Sequence, residues 1–150
     1  MMSLSFGRPA AEACLRGECR EREIVGTVRF YPYCDGVLVA AELCGLPDPD
    51  GVYAFHIHEG CSCEGRGFSE TGGHYDPEDR PHPEHAGDLP PIFAHKGRVF
   101  MAVYTGRFCL SEIIGRTIVL HARPDDFTSQ PAGAAGAKIA CGEIRRVGCR

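Results

Sequence analysis

The sequence predicts an all-β fold, a sandwich or barrel of short strands in Greek-key order. Two observations lead there. The apolar segments are rich in β-branched and aromatic residues yet too short for typical helices, and glycine, proline and aspartate punctuate them. No stretch carries an apolar stripe through three helical turns, and no internal repeat or linker divides the chain. At 150 residues, one domain spanning 1–150 is expected, long enough to bury a core without covalent staples.

Taken in order, the predicted strands lie in IVGTVRFYPY (24–33), GVLVAAELCGL (36–46), VYAFHIHEG (52–60), RVFMAVYTG (98–106) and IIGRTIVLHA (113–122). Glycines at 26, 36, 45, 51, 60, 97, 106 and 115 mark turns between and within them. The run PAGAAGAK has helix-forming alanines, but its glycines and leading Pro131 make it a loop. Two regions read as no strand at all, 60–91 and 122–137. In a compact β domain, loops of that length are expected to be functional.

Composition narrows the function classes. Apolar content of 43% and charged content of 24% are those of an ordinary globular protein. A net charge of −4 without a basic run argues against nucleic acid and against an anionic membrane surface as partners. No apolar run reaches the length of a membrane span. The opening MMSLSFGRPAAEACLRG has no charged region leading into a long apolar one, so no signal peptide is read and a cytoplasmic location is expected. Nine cysteines are many for such a protein, and in the cytosol most are expected to be reduced.

The chemistry gathers on histidines. In a strand, His56 and His58 point one way while Phe55 and Ile57 point the other, so HIH offers two imidazoles on one face. An outward polar strand face would look the same, and His121, at the end of IIGRTIVLH, means little alone. The loop segment GGHYDPEDRPHPEHAGDLP (72–90) is more specific. Three of the seven histidines of the chain, His74, His82 and His85, fall within it together with Asp88. Three imidazole nitrogens and one carboxylate oxygen form a closed four-ligand set that suits tetrahedral Zn²⁺. Prolines 77, 81 and 83 exclude a regular helix and restrict the unfolded loop, which helps to hold ligands before a metal arrives.

If His56, His58 and His121 form a second cluster, a fourth nitrogen would complete a tetragonal set favouring Cu(II). The loop must then lend a histidine and still keep its own three. One imidazole using both ring nitrogens meets both needs. His74, at the start of the loop and nearest in sequence to HIH, is the candidate bridge.

The motifs HIHEG, GGHYDP, HPEHAGDLP, IIGRTIVLHARPDDF and PAGAAGAKIACGEI, in that order, resemble the copper/zinc superoxide dismutases. The resemblance runs from about residue 24 to 145, and residues 1–23 match weakly. It implies an eight-stranded, immunoglobulin-like Greek-key β-sandwich or barrel, with 60–91 as the disulfide-and-zinc loop and 122–137 as the electrostatic loop. It implies copper on His56, His58, His74 and His121, and zinc on His74, His82, His85 and Asp88, with His74 bridging. Asp125 matches the aspartate that links His56 to His82 from outside the ligand shell. The implied activity is dismutation of superoxide to dioxygen and hydrogen peroxide as copper alternates between Cu(II) and Cu(I), while His74 exchanges a proton.

Departures from the family pattern carry their own expectations. Lys138 stands where the family has an arginine that focuses the anion; lysine keeps the charge but loses the two-pronged fork, so activity at a reduced rate is expected. Cys141 matches one disulfide cysteine, and its partner is Cys63 or Cys61, with Cys63 preferred. Such a bond would contribute roughly 4 to 5 kcal/mol in the chain-entropy account. The resemblance implies a homodimer, but Glu143, Arg145 and Arg146 put charge on its usually apolar interface, which tells against that interface. Two readings of other classes stand beside the enzyme. One is a metal-binding or copper-chaperone-like domain with little catalysis, suggested by Cys61-Ser62-Cys63 and Lys138. The other is a zinc-stabilised structural domain that never meets copper.

Overall fold

The computed structural model describes residues 6–18 and 23–148, so Cys19 and Cys149 and part of the weakly matched segment 1–23 fall outside it. Among the described residues ten strands form: β1 (Ala11–Gly17), β2 (Val25–Tyr33), β3 (Gly36–Cys44), β4 (Val52–Tyr53), β5 (Phe55–His58), β6 (Ile92–Phe93), β7 (Arg98–Thr105), β8 (Thr117–His121), β9 (Lys138–Glu143) and β10 (Arg145–Arg146). One short helix, α1 (Leu110–Ile113), precedes β8. Among the described residues no helix is long and apolar enough to cross a membrane.

The eight-stranded sheet runs in the order β5-β8-β9-β1-β2-β3-β7, with β10 paired to β1, and curls into a half-barrel; β4 and β6 pair separately. Strands β1, β2 and β3 form a meander, joined between β2 and β3 by a two-residue turn at Cys34 and Asp35. The next neighbour of β3 is β7, so the intervening chain crosses over to build the β5 end of the sheet, as a Greek key requires. Alternation sets the inner face: Ala11, Ala13 and Leu15 from β1, Val28 and Phe30 from β2, and Val37, Val39, Ala41 and Leu43 from β3 are buried. Phe55, Ile57, Ile118 and Leu120 continue that core beneath the histidines.

The two regions read as loops are loops. Between β5 and β6 the chain makes only a 3-10 turn at Ser69–Thr71, and nothing regular forms between β8 and β9. The predicted segments omit β1, β6, β9 and β10, and of these β1 and β9 lie side by side in mid-sheet. The expectation was inexact at 113–122, where the opening isoleucines belong to the end of α1 and the turn before β8.

Candidate metal centre

Strand β5 carries His56 and His58, and β8, its antiparallel neighbour, ends in His121. The long loop returns along the free edge of β5, where isolated bridges join His58 to His74 and His56 to Asp88. His56, His58, His74, His82, His85, His121 and Asp88 are all buried by this arrangement. His95, the histidine left out of both predicted sets, is exposed beside Asp50.

Hydrogen bonds fix which ring nitrogens remain free. The Nδ1–H of His58 donates to the carbonyl of Gly72 at 2.9 Å, and that of His121 to the carbonyl of Gly136 at 3.3 Å. Burial pushes the pKa of His58 down to about 2 and that of His121 to about 4, so both rings are neutral. Their Nε2 atoms, 3.1 Å apart, therefore face each other as two lone pairs. Two acceptors that close repel unless a cation lies between them. Asp125 sets the other tautomers, accepting from His56 Nε2 at 2.7 Å and from His82 Nε2 at 2.8 Å. That leaves Nδ1 of His56 and Nδ1 of His82 as buried lone pairs without a hydrogen-bond partner, as is Nε2 of His74. His82 Nδ1 lies 3.0 Å from an Asp88 oxygen, but the contact joins two electron-rich atoms.

Around Asp88 a second convergence forms. Its oxygens lie 2.8 Å from His74 Nδ1 and 3.2 Å from His85 Nδ1, and those two nitrogens are 3.2 Å apart. One set with ligand atoms within 4.8 Å of one another is His56, His58, His74 and His121; another is His56, His74, His82 and Asp88. His56 enters the second set because the two centres share a wall, but its Nε2 is committed to Asp125. His85 Nδ1 touches both His74 and Asp88 and so lies against the second set. His74 belongs to both: a neutral imidazole has one proton, and here each ring nitrogen faces a cluster that needs a lone pair. The donor chemistry thus fits two cations sharing one imidazole, nitrogen-rich on one side and mixed nitrogen and oxygen on the other.

Several contacts that support the site had no sequence signal. Thr71 accepts from the Lys138 ammonium at 2.7 Å, and Gly72 accepts from the same ammonium at 3.1 Å. Arg107 donates to the carbonyls of Pro83 at 2.8 Å and His85 at 3.1 Å. Gly133 sits at φ 66°, and a Cβ there would fall 2.1 Å from Asp125 Oδ1. Cys63 and Cys141 form the disulfide, which pins the long loop to β9 beside Phe68 and Val119. Cys14, Cys34, Cys44, Cys61 and Cys109 are free and exposed. Glu143, half-buried, pairs with exposed Arg145, and Arg146 lies exposed beside them.

A half-barrel whose histidine-bearing edge meets a loop of three histidines and an aspartate brings together two overlapping donor groups, as in a metalloprotein. The profile of the family described as copper/zinc superoxide dismutase (SODC) matches residues 24–144, and the chain belongs to that family. The chain is 39% identical to superoxide dismutase Cu-Zn 2 of Aquifex aeolicus over 83% of its own length and 81% of that protein. It is 32% identical to the copper-zinc superoxide dismutase of Deinococcus radiodurans over 95% and 87% of the two chains. With that of Caulobacter vibrioides it shares 37% identity over 79% and 76%. The chain is an oxidoreductase of the superoxide dismutase class, and copper and zinc are its metals.

Proposed function

We propose that His56, His58, His74 and His121 hold copper, that His74, His82, His85 and Asp88 hold zinc, and that residues 1–150 act as one domain in the dismutation of superoxide. The reading is supported above all by the facing Nε2 atoms of His58 and His121, 3.1 Å apart with both Nδ1 protons already committed to carbonyls. Copper, when bound, supplies the one-electron oxidation and reduction that turn two superoxide ions into dioxygen and peroxide.

The protein supplies position, charge and a proton. Asp125 holds the rings of His56 and His82 in the tautomers that present Nδ1 inward. His74 Nε2 takes up a proton and passes it to the departing peroxide, while its Nδ1 stays fixed against Asp88. Lys138 offers a positive end point to an anion in a chain of net charge −4. Gly72 accepts from both Lys138 and His58, so the cation and a copper ligand share one anchor.

The copper-carrier reading loses its main support, because Cys63 is spent in the disulfide and Cys61 is left without its neighbour as a chelating pair. For self-association we propose a homodimer that leaves the β9–β10 surface in water, since Glu143, Arg145 and Arg146 would have to be desolvated there. An Arg146→Glu variant should then sediment as the parent does.

Superoxide decay by pulse radiolysis tests the function, using protein with one copper and one zinc per chain at two ionic strengths. Fast decay that slows with salt is expected. Absence of catalysis in fully loaded protein would overturn the reading.

A further inference from the structure

We propose that Gln130 is a positioning residue for His82, clamping its main chain so that the loop 122–137 controls how tightly the zinc site holds its metal. The inference rests on the reading of His82 as a zinc ligand.

The segment Pro81-His82-Pro83 has a single backbone N–H, because proline has none. That N–H donates to Gln130 Oε1 at 2.9 Å, and Gln130 Nε2 donates back to the carbonyl of His82 at 2.8 Å. One side-chain amide therefore satisfies both backbone groups of a buried residue, as a neighbouring strand would. No backbone–backbone bond among the described residues reaches either group. An amide side chain is suited to this, since a carboxylate lacks the donor and an ammonium lacks the acceptor.

The same loop grips the ring. Asp125 accepts from His82 Nε2, so loop 122–137 holds this residue at its imidazole and at its backbone. The loop presents Gln130 from a braced segment. Asp126 accepts from the N–H groups of Thr128 and Ser129 at 2.9 and 2.8 Å. Gly133 donates to the Ser129 carbonyl at 2.7 Å, and Asp126 donates to that of Gly133 at 3.0 Å. Gln130 Nε2 also lies 3.3 Å from the Thr128 carbonyl, so its amide is oriented from its own loop as well. A bond to the ring alone would leave the backbone free to swing Nδ1 away from Asp88; the amide removes that freedom. Coupling is reciprocal, so zinc should stabilise the loop by the factor with which the loop stabilises zinc.

The test measures zinc transfer from the holoenzyme to a chelator, and the visible spectrum of protein carrying Co²⁺ in the zinc site. Gln130→Ala and Gln130→Met should release zinc about tenfold faster, the lower end of what outer contacts to metal ligands contribute. Gln130→Glu keeps the acceptor but sets a carboxylate oxygen against the His82 carbonyl, and should release zinc at least as fast as Gln130→Ala. The Co²⁺ spectrum should shift in the same order, with copper content unchanged. Folded Gln130 variants with parental zinc release and Co²⁺ spectrum would overturn the clamp. His82→Ala separates the two levels: zinc loss there beside unaffected Gln130 variants overturns the clamp alone, whereas zinc retention in His82→Ala overturns the ligand reading and the clamp together.

Discussion

The ammonium of Lys138 donates to the hydroxyl of Thr71, a buried side chain that itself donates to the carbonyl of Phe68 at 2.8 Å. The cation beside His58 is thus tied down by the loop that the disulfide holds. Its charge persists, but two of its three donors are engaged, by Thr71 and Gly72. Replacing Lys138 by Met should lower kcat/KM by about tenfold and flatten its dependence on salt, since a local positive focus raises anion capture by at least that factor. Lys138→Arg should raise the rate, because a guanidinium can keep the Gly72 contact and still offer a second edge. Stopped-flow or pulse-radiolysis rates at two ionic strengths decide both.

Asp125 accepts from both His56 and His82, and Gly133 leaves the space that lets it do so. Asp125→Ala should weaken metal retention by about 10- to 100-fold. Gly133→Ala should do similar damage without touching a ligand, because its Cβ would collide with the carboxylate and would also fall 2.7 Å from His82 Nε2. Metal content after dialysis against a chelator gives the answer.

Burial holds the pKa of His56 and His58 down to about 2 and that of His121 to about 4 in the metal-free protein, against 6.5 in the open chain. Below pH 6.5 the unfolded state binds protons that the folded state refuses. Stability is therefore fully present above that pH and lost as the pH falls. Between 6.5 and about 4 all three rings resist protonation in the folded state, so stability falls continuously through that window. Urea midpoints of metal-free protein should drop steeply through this window, and a flat profile would contradict the burial of neutral rings.

The Cys63–Cys141 disulfide spans 78 residues. Its loss in Cys63→Ser should cost about 4 to 5 kcal/mol of unfolding free energy in the chain-entropy account. Cys61→Ser should leave stability within about 0.5 kcal/mol of the parent, as an exposed change does. Denaturant titration of the two variants discriminates between the neighbouring cysteines.

Much of this was legible in the sequence, and the pattern of success has a physical cause. Alternation in a strand is strictly local, so HIH announced two histidines on one face before any fold was known. Prolines and clustered histidines marked a loop that could not be regular. The ligand count singled out His74, which lies in both donor groups. What escaped were contacts made by backbone groups over long separations: Gln130 on His82, Arg107 on His85, and Gly72 serving both His58 and Lys138. A carbonyl has no letter in a sequence. Strand β1 escaped for another reason: AEACLRG is a short segment with little β-branched content, and its place is set by the partners on either side.

The bridges from His74 and Asp88 to β5 have a further consequence. Strand β5 ends the sheet, and an end strand offers unpaired amides and carbonyls to any passing chain. Here that margin is closed by the segment that carries His74 and Asp88. Gathering the donor side chains and refusing β-strand recruitment are then one task, performed along a single rim of the sheet.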